Sequence, residues 1–185
     1  MKIKVFKRTG KSKGIVNRIR FEGDIPGVFY GPRKKSEKIF IKGADFAKIQ
    51  RKLGAGNLAT VLFDLEVEQE THKALLKGIQ YHRTTYEVIH IDFEIVEQDL
   101  PVNVNIPIRC IHEADCAGVK LGGILRQVIR TLKVSCLPKD IPQKFTIDVK
   151  DLQMMQSKRL SDIAIPEKVK PVANMQEVAV VVAKR

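Results

Sequence analysis

KRTGKSKGIVNRIRFEGDIPGVFYG, residues 7–31, changes character halfway along. Its first half is basic and punctuated by Gly10 and Gly14. Its second half is an apolar turn and strand ending in Tyr30-Gly31. Ile15 and Ile19 lie four apart, which predicts one apolar face on a helix over residues 11–23. Asn17, Arg18 and Arg20 fall away from that face. Gly23-Asp24 stops the helix, and Pro26-Gly27 turns the chain. Val28-Phe29-Tyr30 then reads as a short strand closed by Gly31-Pro32. Residues 2–20 carry eight Lys or Arg and no Asp or Glu. Charge concentrated on one short segment is what a phosphate-binding surface requires.

On either side the pattern is mostly strand. Ile3 and Val5 mark a first strand, and Arg33-Lys34-Lys35 a loop. Ile39 and Ile41 alternate with polar or exposed-type neighbours as a further strand. Phe46, Ile49 and Leu53 are spaced as one face of a second helix, from Gly43 to Gly54 or Gly56. Residues 58–67, 73–80 and 88–96 follow as strands. Beyond them Val102, Val104, Ile106, Ile108 and Cys110 alternate, the pattern of a half-buried strand. Leu132, Val134 and Cys136 repeat it, as do Phe145, Ile147 and Val149. Residues 178–183 form a last β-branched run. Prolines concentrate after residue 100, and EQDLP, residues 97–101, is polar and ends in one. The expected division is therefore residues 1–96 and 97–185.

Composition narrows the class. The chain has 185 residues with 33 Lys+Arg against 21 Asp+Glu, a net charge of +12. Residues 1–94 hold +8 of it. An apolar fraction of 44% supports a packed core rather than disorder. Cys110, Cys116 and Cys136 cannot all pair within the chain, and no Cys-x-x-Cys occurs, so a reduced setting is expected. His112 lies between two of them, but no fourth ligand has zinc spacing. Cys110 and Cys136 read as small apolar core residues. No apolar run approaches the ~20 residues of a membrane span, and the amino terminus has no signal-like core. The expectation is a cytoplasmic protein with no metal and no cofactor. Gly118, Gly122 and Gly123 lack the spacing of a nucleotide-phosphate loop. His90 and Asp92 alone suggest catalysis, but no Gly-x-Ser-x-Gly and no partnered second carboxylate accompany them. The chain is therefore read as a non-enzyme.

Several motifs occur in one order: the basic helix, GDIPGVFYG, a Gln-x-His segment at Gln80–His82, and HIDF at His90–Phe93. Together they resemble the bacterial large-subunit ribosomal protein family that binds 5S rRNA. GVKLGGIL (residues 118–125) and CLPKDIPQKFTIDVKDL (residues 136–152) are similar to the carboxy-terminal domain of its long form, also called general stress protein Ctc. The resemblance spans nearly the whole chain. It implies a mainly β fold: a small closed β-barrel with short helices, then a mostly antiparallel β-domain. Barrel closure comes from the resemblance alone, since periodicity does not show it.

The resemblance also implies a binding surface. Arg8, Lys13, Arg18 and Arg20 match the family's basic positions at the RNA, where guanidinium forks suit phosphates. Asn17 stands where the family often carries another Arg. Tyr30 would reach a phosphate or a ribose hydroxyl. Lys77, Gln80, His82, His90 and Asp92 complete the RNA-binding set. On a regular strand Lys77 and Gln80 would face opposite ways, so a bulge or a strand end is needed there. Arg83 offers a charge beside Tyr81. The implied partners are 5S rRNA in the central protuberance, the large subunit and its neighbouring proteins, with no membrane and no DNA. A stress-response RNA-binding protein that visits the ribosome transiently is the alternative. A protein-interaction module, with the basic segment serving only solubility, is a third reading.

Overall fold

The computed structural model describes residues 1–10, 12–32, 35–54, 56–68 and 70–184. Lys11, and the Arg33 and Lys34 of the expected loop, lie outside the described residues. The chain forms two compact units, Met1–Leu100 and Pro101–Arg185.

The first unit is a barrel. Its strands are β1 (Lys2–Lys7), β2 (Ile25–Tyr30), β3 (Glu37–Ile41), β4 (Leu62–Val67), β5 (Glu70–Tyr81) and β6 (Val88–Ile95). They close in the order β1-β3-β2-β6-β5-β4. β1 runs parallel to β4 and β2 parallel to β6, while the other pairs are antiparallel. Alternate residues therefore point inward: Ile3 and Val5, Ile39 and Ile41, Phe63 and Leu65, Ile91 and Phe93. Phe63 and Phe93 meet edge to face, with ring centroids 5.8 Å apart. Phe46 of helix α2 (Gly43–Leu53) and Leu58 complete this core.

Three local expectations are corrected. Pro26-Gly27 does not turn the chain; both lie within β2, where Gly27 pairs with Ile39 on one side and Ile91 on the other. A Cβ at Gly27 would come within 2.5 Å of the Ile91 carbonyl oxygen, so glycine serves close strand approach here. Residues 58–60 form a 3-10 turn, and the strand starts only at Leu62. Helix α1 (Lys13–Phe21) buries Ile19, with Val16 partly covered one turn away. Ile15 is 39% exposed and lies against Gly10 rather than the barrel.

The second unit holds β7 (Val102–Ile111), helix α3 (Ala117–Lys120), β8 (Ile124–Gln127), β9 (Thr131–Cys136), β10 (Phe145–Asp148), β11 (Ser157–Arg159), β12 (Lys170–Pro171) and β13 (Val178–Ala183). One sheet has the order β10-β7-β9-β12 and the other β11-β13-β8. All of these pairings except β10 with β7 are antiparallel. Ile106, Leu132, Val134 and Ile147 are sealed in the core. All three cysteines are free; Cys116 and, as expected, Cys136 are buried, and the Cys116 Sγ lies 3.4 Å from the Leu152 carbonyl oxygen. Cys110, expected inside, is only partly covered.

The turn after Leu152 lacks a glycine, and Met155 takes the left-handed conformation instead, at φ 67°. Its side chain is 74% exposed, so little packing offsets the strain. Met155→Gly should raise stability by about 0.5–1 kcal/mol, the relief of the left-handed penalty less the extra unfolded-state entropy of glycine. A denaturant midpoint that falls in this variant would show that the methionine side chain holds the turn.

Candidate nucleic-acid interface

The expected site residues spread over the end of β1, helix α1, three neighbouring strands and one hairpin. β2, β6 and β5 lie side by side, and their outward residues form one face. Val28 stands opposite Asp92, Tyr30 opposite Glu94, and Gln80 opposite His90. Ile91 and Phe93 fill the barrel, which turns His90 and Asp92 outward together.

Lys77 joins this face through a bulge. The β5–β6 register slips between Leu76 and Gly78, so Leu76 opposes Phe93 and Gly78 opposes Asp92, with Lys77 in excess. A bulge swings one residue out of alternation. Lys77 reaches Glu94 on the outer face, Nζ to Oε2 2.8 Å, and Gln80 lies on the same side. Gly78 leaves room for the Asp92 carboxylate, since a Cβ there would meet Oδ2 at 3.1 Å.

The face is dense in polar groups. His90 Nδ1 lies 2.9 Å from Asp92 Oδ1. Both His90 Nδ1 and Glu94 Oε2 are buried without an aligned hydrogen bond, so these two ion pairs are contacts of distance rather than direction. Partial burial, followed by the Glu94 and Asp92 carboxylates, pushes the Tyr30 phenol above its ordinary value. Tyr30 therefore keeps its proton at neutral pH and can donate. Glu94 is absent from the expected set, although it follows His90 and Asp92 in the same period of two.

Two further groups border the face. Arg20 donates from Nε to the Ile89 carbonyl, 3.2 Å away, which ties the end of α1 to the start of β6. Arg20, Phe21 and Tyr86 line a cavity of ≈ 560 Å³ between helix and hairpin. His82 sits in the β5–β6 hairpin, where its own backbone pairs with Glu87 and Tyr86. The Thr85 N–H donates to His82 Nδ1 at 3.3 Å, which leaves the proton of the neutral ring on Nε2.

The four leading cations do not converge. Lys13 and Arg20, seven residues apart, share one flank of α1 with Asn17. Arg18 lies roughly 140–160° around the axis from them and pairs with Glu22 at 3.0 Å. Arg8 extends β1, its N–H donating to the Lys38 carbonyl at 2.9 Å, on the β1–β3 side of the barrel. Among the described residues no His, Cys, Asp and Glu cluster could hold a metal ion, and no helix is long and apolar enough to cross a membrane.

Comparison with known proteins bears on both units. Residues 3–93 match the model of the ribosomal L25p family, and residues 101–185 that of the ribosomal protein TL5 C-terminal domain. The large ribosomal subunit protein bL25 of Chlamydia muridarum is 48% identical over 185 residues, covering all of both chains. Its namesake in Chlamydia trachomatis serovar D is 47% identical over the same span. That of Chlamydia pneumoniae is 45% identical over 179 residues, 97% of this chain and 96% of its own.

Proposed function

This chain belongs to the ribosomal L25p family, in the long form with a TL5-type second domain, and from that premise we propose that its barrel binds 5S rRNA in the central protuberance. It is a structural, non-enzymatic part of the large ribosomal subunit. The observation that carries the finer reading is the outer face of β2, β6 and β5. Tyr30, Lys77, Gln80, His90 and Asp92 stand there together.

Each group has a chemical role. The Tyr30 hydroxyl and the Gln80 amide suit ribose hydroxyls and base edges in the wide minor groove of an RNA helix. Asp92 accepts from a guanine amino group or holds an arginine in place. His82 donates from Nε2 to a phosphate or ribose. Lys13 and Arg20 contact phosphates along one flank of α1, with Arg8 and Arg18 as outlying contacts. The residues 97–185 domain extends the assembly toward neighbouring ribosomal proteins.

A gel shift of the full chain with transcribed 5S rRNA tests the reading, and no shift at micromolar protein would sink it. Arg20→Ala should weaken the complex by about 1–3 kcal/mol, the value of a charge-assisted phosphate contact. Unchanged affinity would remove Arg20 from the interface. Its bond to the Ile89 carbonyl lies at the surface, so the barrel should remain folded in this variant.

A further inference from the structure

The outer face of β1 and β3 lies elsewhere around the barrel, and of the expected RNA-binding residues it holds only Arg8. Ile3, Val5, Ile39 and Ile41 point inward. Alternation therefore turns Lys4, Phe6 and Arg8 outward on one side, and Lys38, Phe40 and Lys42 outward on the other. The antiparallel register sets Phe6 opposite Phe40 and brings Arg8 to Lys38. The two rings stack with centroids 5.2 Å apart and planes 22° from parallel, and Phe6 is 42% exposed. Lys42 Nζ stands 5.9 Å from the Phe40 centroid, its charge met by Asp24 at 2.6 Å. Among the described residues Lys4, Arg8 and Lys38 form no ion pair, and Arg8 Nε is a buried donor without a partner.

A stacked cross-strand pair steadies a sheet wherever it occurs. That role needs neither exposure nor cations on both sides. Stacked rings framed by positive charge suit a ligand with a flat π face and negative flanks, which is an unpaired nucleotide. An apolar protein segment would leave the cations uncompensated.

We propose that this face is a second RNA-contact surface, where an unpaired base stacks on the exposed ring of Phe6 at the end of the Phe6–Phe40 pair while the adjoining phosphates lie on Lys4 and Lys38. It deepens the RNA-binding reading of this chain and depends on it only in taking RNA as the partner. Because every base has a π face, the contact tolerates any sequence.

The test uses a short single-stranded RNA carrying one 2-aminopurine, titrated with the full chain alone and with the chain saturated by transcribed 5S rRNA. The probe should bind in both cases, with its fluorescence quenched by stacking. Phe6→Ala with Phe40→Ala should weaken probe binding about ten-fold and leave 5S rRNA affinity unchanged. Phe6→Leu with Phe40→Leu keeps an apolar cross-strand contact but removes the π faces, so it should show the same loss in a folded barrel. Unchanged probe affinity in both double variants overturns the proposal and leaves the face to a protein partner. Displacement of the probe by 5S rRNA overturns it as well. If 5S rRNA fails to bind while the probe binds and responds to the substitutions, the 5S assignment falls and this one stands.

Discussion

Raising salt from about 50 to about 200 mM should weaken the complex with transcribed 5S rRNA by roughly two to three orders of magnitude. This magnitude corresponds to about five neutralised phosphates, each contributing a slope of about −0.9 in a double-logarithmic plot. The candidate cations are Arg8, Lys13, Arg18, Arg20 and Lys77. Two of them already pair with carboxylates in the protein, Arg18 with Glu22 and Lys77 with Glu94. Exchange of Glu22 for a phosphate is easy, because that pair is exposed and worth little. Lys77 and Glu94 are each about a quarter exposed, so their exchange is harder and lowers the slope toward that of four phosphates. Filter binding at a series of salt concentrations reads the slope directly. A flat plot would mean that the basic segment does not face RNA phosphates, and the proposed function would fall with it.

The largest effect on stability should come from the barrel interior. Phe93 is fully buried on β6 and meets Phe63 edge to face. Phe93→Ala should destabilise the Met1–Leu100 unit by about 3–5 kcal/mol, because the lost ring leaves a cavity that a closed barrel cannot collapse to fill. Amide hydrogen exchange of β5 and β6 in the full chain measures this, since those amides open only with the barrel. A loss below about 1 kcal/mol would contradict tight packing around the ring. RNA affinity should suffer only through unfolding, because Phe93 points away from the face that carries His90 and Asp92. Arg20→Ala should do the opposite, weakening binding in a folded protein.

Residues whose placement follows from period are legible in the sequence alone. Period two sets Ile91 and Phe93 on the side opposite His90 and Asp92, and the barrel keeps them there. The alternation from Val102 to Cys110 and the spacing of Phe46, Ile49 and Leu53 are equally plain. What stays hidden depends on contacts distant in sequence. Pro26-Gly27 has turn chemistry locally, yet the approach of Ile91, more than sixty residues on, draws it into a strand. The bulge at Lys77 has no local signature, because it is the register against β6 that expels one residue. Ile15 and Val16 are both apolar, and only the position of β2 beside α1 decides which is covered. For the site, residue types are readable through family motifs and the separation of Arg18 from Lys13 and Arg20 follows from helical period, whereas the place of Arg8 depends on the pairing of β1 with β3.

The pairing of β1 with β4 and of β2 with β6 also bears on how the chain is made. Both strands can pair with β3 early, but Lys2 must wait for Asp64, and Gly27 for Ile91, before either strand finds its second neighbour. At about 5–20 residues per second, translation takes on the order of 5–20 s to deliver the last of these partners. Through that interval the most cationic part of the nascent polypeptide belongs to a barrel that cannot yet close. Local contacts cannot shorten the delay, because parallel neighbours so far apart in sequence close late. The newborn chain thus passes a window in which it is sticky toward any polyanion nearby, and that window ends when the sixth strand seals the ring.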